Sequence, residues 1–338
     1  MSRQRYLNAL AWPAPGLAYS PAVGSATSIV TSDLMKITGV SFPEAHLDAR
    51  SMARLALAGH TILGFDNVMP VFSTKQESSS LGAPTDWGSD RKMPTGRPMA
   101  GSMDDPVPLG EFDKFLTNPP MRAVLGAIGI LKRELGDSAA VQGKVMGPWS
   151  LAFDLYGLET FLVATLIQPD EVRRVLRQLM PVVLASARAQ VDAGADCLTV
   201  ADHCTRDLCG PHAYRDFLME WHMELAKAIP VPLVLHVCGD TTDRIKYFRE
   251  TGMAMFHFDS KNGTAASVRE ARGMPLMGGT GNVAVVRNGN TDIIKADVDD
   301  KLTNRIAVLG PECAVPLDAP ANNLVLFVKE ATQRMKNI

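Results

Sequence analysis

From about residue 50 onward the sequence repeats one arrangement, a stretch with apolar residues at helical spacing followed by a short apolar run bounded by Gly, Pro or Asp. This alternation is what β/α units require, because two parallel strands can be joined only by a crossover of a dozen or more residues, usually a helix. Asp48 is placed to cap a helix whose apolar positions Met52, Leu55, Ala56, Ile62 and Leu63 recur at helical spacing, and Gly64 ends it. Strand-like runs then fall at 65–72, 143–146, 197–200, 231–237, 253–258, 275–277 and 314–317. A helix opening at Pro169-Asp170-Glu171 lies between the second and third of these and carries Pro181 in its interior. Seven runs are one short of the eight that close a barrel, and a strand within 90–106 would complete the set. The expected fold is α/β, a single (β/α)8 TIM barrel over residues 51–338 with residues 1–50 as an N-terminal extension. Residues 73–108, rich in Ser, Gly and Pro, read as a long loop or lid.

Composition excludes several classes of function. Thirty-four Lys and Arg against 36 Asp and Glu leave a net charge of -2, without the basic surplus a nucleic-acid surface needs. Apolar runs are interrupted well before the ~20 residues of a membrane span. Pro13 and Pro15 stand where a secretory signal would continue as an apolar core. A soluble, cytoplasmic chain is expected, with its five cysteines (Cys197, Cys204, Cys209, Cys238, Cys313) reduced and available to a metal.

The segment Val231 to Thr242 carries the strongest chemical signal. It is an apolar strand that turns polar at its carboxyl end, the end that forms the mouth of a β/α barrel. Alternate side chains of a strand share a face, so His236 and Cys238 point the same way, and Gly239 permits a sharp exit. Cys313, 75 residues further on, is two β/α units away and is the best third ligand. Two thiolates and an imidazole suit zinc, with a fourth position left for substrate. The same residues are also compatible with a hydrogen-bonded core histidine and a small buried cysteine.

A rival cluster, Asp202-His203-Cys204 with Cys209 and His212, has spacing that could also hold zinc. Alternatively it forms a βα loop in which Asp202 orients substrate or a catalytic group. The turn Gly278-Gly279-Thr280-Gly281-Asn282 lacks the residues of a P-loop and reads as a tight turn bringing backbone close to a ligand at Gly281 and Asn282. Most of the 17 methionines read as core.

These features together resemble the uroporphyrinogen decarboxylase-like barrels, and among them the zinc-dependent methylcobamide:thiol methyltransferases. The resemblance spans almost the whole chain. It is carried by Pro43-Glu44-Ala45-His46, Gly64-Phe65-Asp66, Glu77 with Leu81-Gly82, Gly147-Pro148-Trp149-Ser150-Leu151-Ala152 and Gly194-Ala195-Asp196 with Ala201-Asp202. It continues through His236-Val-Cys238-Gly239, Gly281-Asn282-Val283 and the Cys313 segment ending in Pro320-Ala-Asn322-Asn323. It implies that His236, Cys238 and Cys313 bind zinc and that Asp259 contributes an acidic group beside the metal. The activity it implies is transfer of a methyl group between a methylated corrinoid (methylcobalamin-type) protein and a thiol such as coenzyme M. No Asp-x-His-x-x-Gly cobalamin motif occurs, so the corrinoid would arrive on a partner protein. The alternative within the family is a metal-free tetrapyrrole decarboxylase. Its Arg-rich amino-terminal motif is not reproduced by Arg3 to Tyr6, and the family's Asp-Arg-x-Pro opening is missing around residues 12–20.

Overall fold

A strand buried on both faces must be apolar or internally satisfied along its whole length, and Ala140–Met146 is buried at every residue. It belongs to an eight-stranded parallel wall, seen in a computed structural model that describes residues 2–110 and 112–338. The strands are β1 (Ala22–Val23), β2 (Asn67–Val68), β3 (Ala140–Met146), β4 (Cys197–Ala201), β5 (Leu233–His236), β6 (Met255–Phe258), β7 (Leu276–Gly278) and β8 (Val308–Leu309). Their spatial order, β1-β8-β7-β6-β5-β4-β3-β2, is that of a (β/α)8 barrel opened at one seam.

Side chains close that seam. Asp66 donates its backbone N–H to Val23 O at 2.8 Å, and its Oδ2 accepts from Val23 N at 3.0 Å. Asn67 does the same one step on, its Oδ1 accepting from Ser25 N at 3.0 Å and its Nδ2 donating to Ser25 O at 2.8 Å. The amide also donates to Gln142 Oε1 on β3 at 2.8 Å, and Gln142 Nε2 donates to Thr199 Oγ1 on β4 at 2.7 Å. A polar belt therefore crosses the barrel interior with every link hydrogen-bonded, the condition for burying it at low cost.

Below the belt lies an apolar plug. Ala22, Ala140, Cys197, Val234, Met255, Met277 and Val308 form the inner floor, against which the helix Ser2–Ala11 packs Tyr6, Ala9 and Leu10. Outside, amphipathic helices such as Ala49–Thr61, Pro119–Leu135 and Pro169–Asp192 cover the wall. Asp48 caps the first of these as expected, its carboxylate accepting from Ser51 N at 2.8 Å. Pro181 lies within the third, which runs through it. Among the described residues no single helix is long and apolar enough to cross a membrane.

Three strand assignments differ from the sequence reading. The eighth strand is not in 90–106, where Thr95–Gly96 instead pairs with Thr85–Asp86 in a small antiparallel hairpin outside the wall. It is β1, within the first fifty residues, so the barrel draws strand and helix from the segment read as an extension. The run 314–317 is not a strand either. Pro311, Pro316 and Pro320 remove ladder donors around it, and the wall position is taken by Val308–Leu309.

Replacing Asn67 with Ala strands Ser25 N and O inside the barrel, while Gln142 keeps the Tyr6 and Thr199 hydroxyls. Each buried group left without a partner costs ~1–3 kcal/mol, so the variant should lose about 3 kcal/mol of stability, read as a lower urea midpoint at unchanged m-value.

Candidate metal centre

Period-two alternation along β5 sends Leu235 and Val237 outward into the core between wall and helices, and sends Val234 and His236 inward. Cys238 follows on the inward side, just past the strand end. The chain then turns at Gly239, which has φ 78 and where a Cβ would meet Thr205 Oγ1 at 2.3 Å, so only glycine fits.

Cys313 comes from the loop after β8, and its neighbours on both sides are pinned. Glu312 bridges two loops, Oε1 accepting from Asn282 N at 2.8 Å and Oε2 from Ser260 N at 2.9 Å. Asn282 Nδ2 donates to Ala314 O at 2.8 Å. His257 on β6 donates from Nε2 to Pro311 O at 2.8 Å, which requires the proton on that nitrogen.

These constraints bring three donors together. His236 Nε2 lies 3.0 Å from Cys238 Sγ and 3.6 Å from Cys313 Sγ, and the two sulfurs are 2.9 Å apart without a disulfide. Bonds of about 2.0–2.3 Å to a single zinc ion place its donors roughly 3.5 Å apart, and the triangle is close to that size, the sulfur pair being its shortest side. The protonation states suit a cation as well. Burial, with the tilted imidazole of His257 4.6 Å away, holds the His236 pKa well below its ordinary value, leaving the ring neutral with a lone pair. The hydrogen bond between the sulfurs lowers the Cys313 pKa, while the same bond and burial raise that of Cys238. The two thiols are thus unequal, Cys313 the more acidic, and a divalent ion drives loss of the protons from such ligands.

A cavity of about 190 Å³ opens onto the three donors. Phe72, Ser73, Thr74, Met93 and Pro94 line one side of it, so part of the 73–108 segment contributes to the cavity wall. Asp202 and His203 line another side. The Asp202 carboxylate is fully engaged, Oδ1 accepting from Ser150 N at 2.8 Å and Oδ2 from His222 Nε2 at 3.1 Å, with His222 Nδ1 meeting the Tyr214 hydroxyl at 2.9 Å. Gly147 allows this approach, since a Cβ there would lie 2.2 Å from the carboxylate.

The other expected site residues sit behind the cavity wall. Asp259 accepts from Gly239 N at 2.8 Å and from Lys261 N at 3.0 Å, bracing the turn after Cys238 without joining the donor cluster. Gly281 and Asn282 are not among the cavity's lining residues, and the polar atoms of Asn282 hold the Cys313 loop. The rival cluster does not assemble. Cys204 and Cys209 are buried, and their carbonyls receive the Arg244 guanidinium, at 2.7 Å for Cys204. Among the described residues the one metal-competent group is His236, Cys238 and Cys313.

Lys144 was missed by sequence reasoning. It lines the cavity from β3, and burial lowers its pKa to about 8, partly offset by Glu77 and the two cysteines. The available signal was a lysine inside an otherwise uncharged strand, on the same face as Gln142.

Fold and site together define a β/α barrel carrying a His-Cys-Cys cluster at its carboxyl-end mouth. The family description Uroporphyrinogen decarboxylase (URO-D) matches residues 1–334, and the chain belongs to that family. A methylated-thiol–coenzyme M methyltransferase of Methanosarcina mazei is 27% identical over 300 residues, covering 88% of this chain and 81% of that protein. A methylcobamide:CoM methyltransferase, MtaA, of Methanosarcina barkeri is 27% identical over 311 residues, covering 90% and 91%. The solved structure of a methyltransferase from Methanosarcina mazei superposes with a TM-score of 0.91 at 26% identity, covering 98% of each chain.

Of the five cysteines only Cys238 and Cys313 are partly accessible. In metal-stripped native protein, iodoacetamide should label these two and leave Cys197, Cys204 and Cys209 unmodified until denaturant is added. Added Zn2+ should protect both, as followed by mass spectrometry.

Proposed function

We propose that this chain is a zinc-dependent methyltransferase that moves a methyl group between a methylated corrinoid on a partner protein and a small thiol such as coenzyme M. The observation that carries the reading is the convergence of one neutral imidazole and two sulfurs on a cavity at the barrel mouth. His236, Cys238 and Cys313 would hold the ion, and their donor set of one nitrogen and two sulfurs is what zinc favours. When bound, zinc supplies Lewis acidity that lowers the pKa of an acceptor thiol at an open coordination position.

The chain's own groups do the rest. Asp202, locked by Ser150 and His222, fixes the wall from which His203 faces the acceptor. Asp259 and Asn282 act as positioning residues, the first on the turn after Cys238 and the second on the Cys313 loop. Phe72 and Met93 keep water from the acceptor sulfur, so the thiolate is poorly solvated and more nucleophilic. Such a sulfur would take the methyl group from the partner's corrinoid to give a thioether, the electron pair of the broken carbon–cobalt bond leaving with cobalt. A corrinoid protein docking over the mouth would displace the segment around Met93. The unpaired cysteines agree with a reducing cytoplasmic setting.

Decarboxylation of a tetrapyrrole fits less well. A cavity of about 190 Å³ falls below the ~300–1,000 Å³ of sites for drug-sized ligands, and a porphyrinogen is larger still.

The purified protein should contain one zinc per chain and should demethylate methylcobalamin in the presence of coenzyme M. His236→Ala and Cys238→Ala should each lose the metal and slow methyl transfer by roughly 100-fold or more. Metal analysis and the loss of the methylcobalamin absorbance measure the two effects. A metal-free wild type with full activity would refute the proposal.

A further inference from the structure

The inward face of β3 ends at the cavity in a side chain for which the chemistry above has no use. Lys144 stands two residues beyond Gln142 on that face and is only 5% exposed. Its backbone is satisfied, N donating to Gln190 Oε1 at 2.9 Å and O accepting from Gln190 Nε2 at 2.8 Å. The ammonium, by contrast, has no hydrogen bond and no carboxylate within 4.0 Å among the described residues. Glu77 is near enough to be felt, but its Oε1 is held by Met146 N at 3.3 Å and Ser186 Oγ at 3.0 Å. A charge kept this deep without a partner is costly unless something in the cavity completes it.

We propose that the Lys144 ammonium is the anchor for a carboxylate or sulfonate on the methyl acceptor, so that the cavity selects a small anionic thiol. The inference rests on the thiol-methyltransferase reading and narrows it. Lys144 and the His236, Cys238 and Cys313 group line the same cavity. An acceptor with sulfur at one end and a negative group at the other therefore meets both, and is oriented by them. Size narrows the class further. About 190 Å³ lies below the ~300–1,000 Å³ of drug-sized sites, which favours a thiol of a few heavy atoms over a tripeptide thiol or a folate. The Lys144 charge also disfavours a thiol whose far end is an amine.

The test is calorimetric binding to the zinc-loaded protein, which reads affinity without requiring turnover. Four thiols of similar length serve as probes: 2-mercaptoethanesulfonate, 3-mercaptopropionate, 2-mercaptoethanol and cysteamine. In the wild type the two anionic thiols should bind at least tenfold more tightly than 2-mercaptoethanol, and cysteamine should bind weakest. The first two compared with each other tell sulfonate from carboxylate preference. Lys144→Met, close in volume and free of a buried charge, should remove the tenfold preference, and Lys144→Arg should keep most of it.

If 2-mercaptoethanol binds the wild type as tightly as the anionic thiols, Lys144 serves only to balance the cysteine sulfurs and the proposal fails. It fails equally if Lys144→Met keeps the preference. Should that variant not fold, the wild-type ranking decides alone. Ethanesulfonate and propionate, which carry the anion but no thiol, separate this inference from the one beneath it. If they match the thiols in affinity, the anion anchor stands and the thiol reading falls.

Discussion

Closure of the barrel is the constraint on which the site depends. In the wall β5 and β8 are separated by β6 and β7. In a flat sheet, three strand spacings of ~4.8 Å would hold them roughly 14 Å apart. The sulfurs that follow these two strands are 2.9 Å apart. Curvature supplies part of the difference and the lean of the Cys313 loop the rest. Curvature in turn needs the seam between β1 and β2, where no regular ladder forms and the side chains of Asp66 and Asn67 stand in for one. Arg5 from the floor helix donates to both oxygens of Asp66, so the plug at one end of the barrel and the seam are mechanically joined.

The loops complete what curvature begins. Glu312 and Asn282 hold the residues on either side of Cys313, and Asp259 holds the one after Cys238. Both cysteines are thus positioned by hydrogen bonds to their neighbours' backbones, leaving the sulfurs free to bind. Such support around a donor set is what fixes a metal site's geometry before the ion arrives. His236 is placed differently, by the strand itself and by the tilted ring of His257 packed against it, so the nitrogen donor is the rigid corner of the triangle.

Much of this was legible in the sequence. The central strands and the helices between them follow from periodicity, and the pairing of His236 with Cys238 follows from strand alternation alone. The long return to Cys313 follows from counting β/α units. What escaped has physical causes. β1, β2 and β8 are two-residue strands, too short for any alternating pattern, and each is defined by its neighbours rather than by its own residues. Ala314 to Leu317 reads as a strand because it is apolar, yet its flanking prolines suit a loop. Asp259, Gly281 and Asn282 were placed at the right loops, but their side of the backbone depends on contacts between loops, which sequence spacing does not encode. Lys144 was hidden because a lone lysine in a strand normally signals an edge or a solvent face, whereas the inward face here leads to a cavity.

The two ends of the barrel therefore carry opposite burdens. The floor, sealed by Tyr6, Ala9 and Leu10, is apolar. The belt of Asn67, Gln142 and Thr199 above it is polar but internally satisfied. At the mouth the wall presents groups whose partners are incomplete: two close sulfurs, a neutral imidazole and a buried ammonium. Incomplete partners raise the free energy of the folded chain, and such groups persist where stabilising layers elsewhere compensate. The gradient from satisfied floor to unsatisfied mouth thus follows the division between stability and function expected of β/α barrels. It also explains why Lys144, His236, Cys238 and Cys313 converge at the carboxyl ends of the strands, where a ligand can complete them.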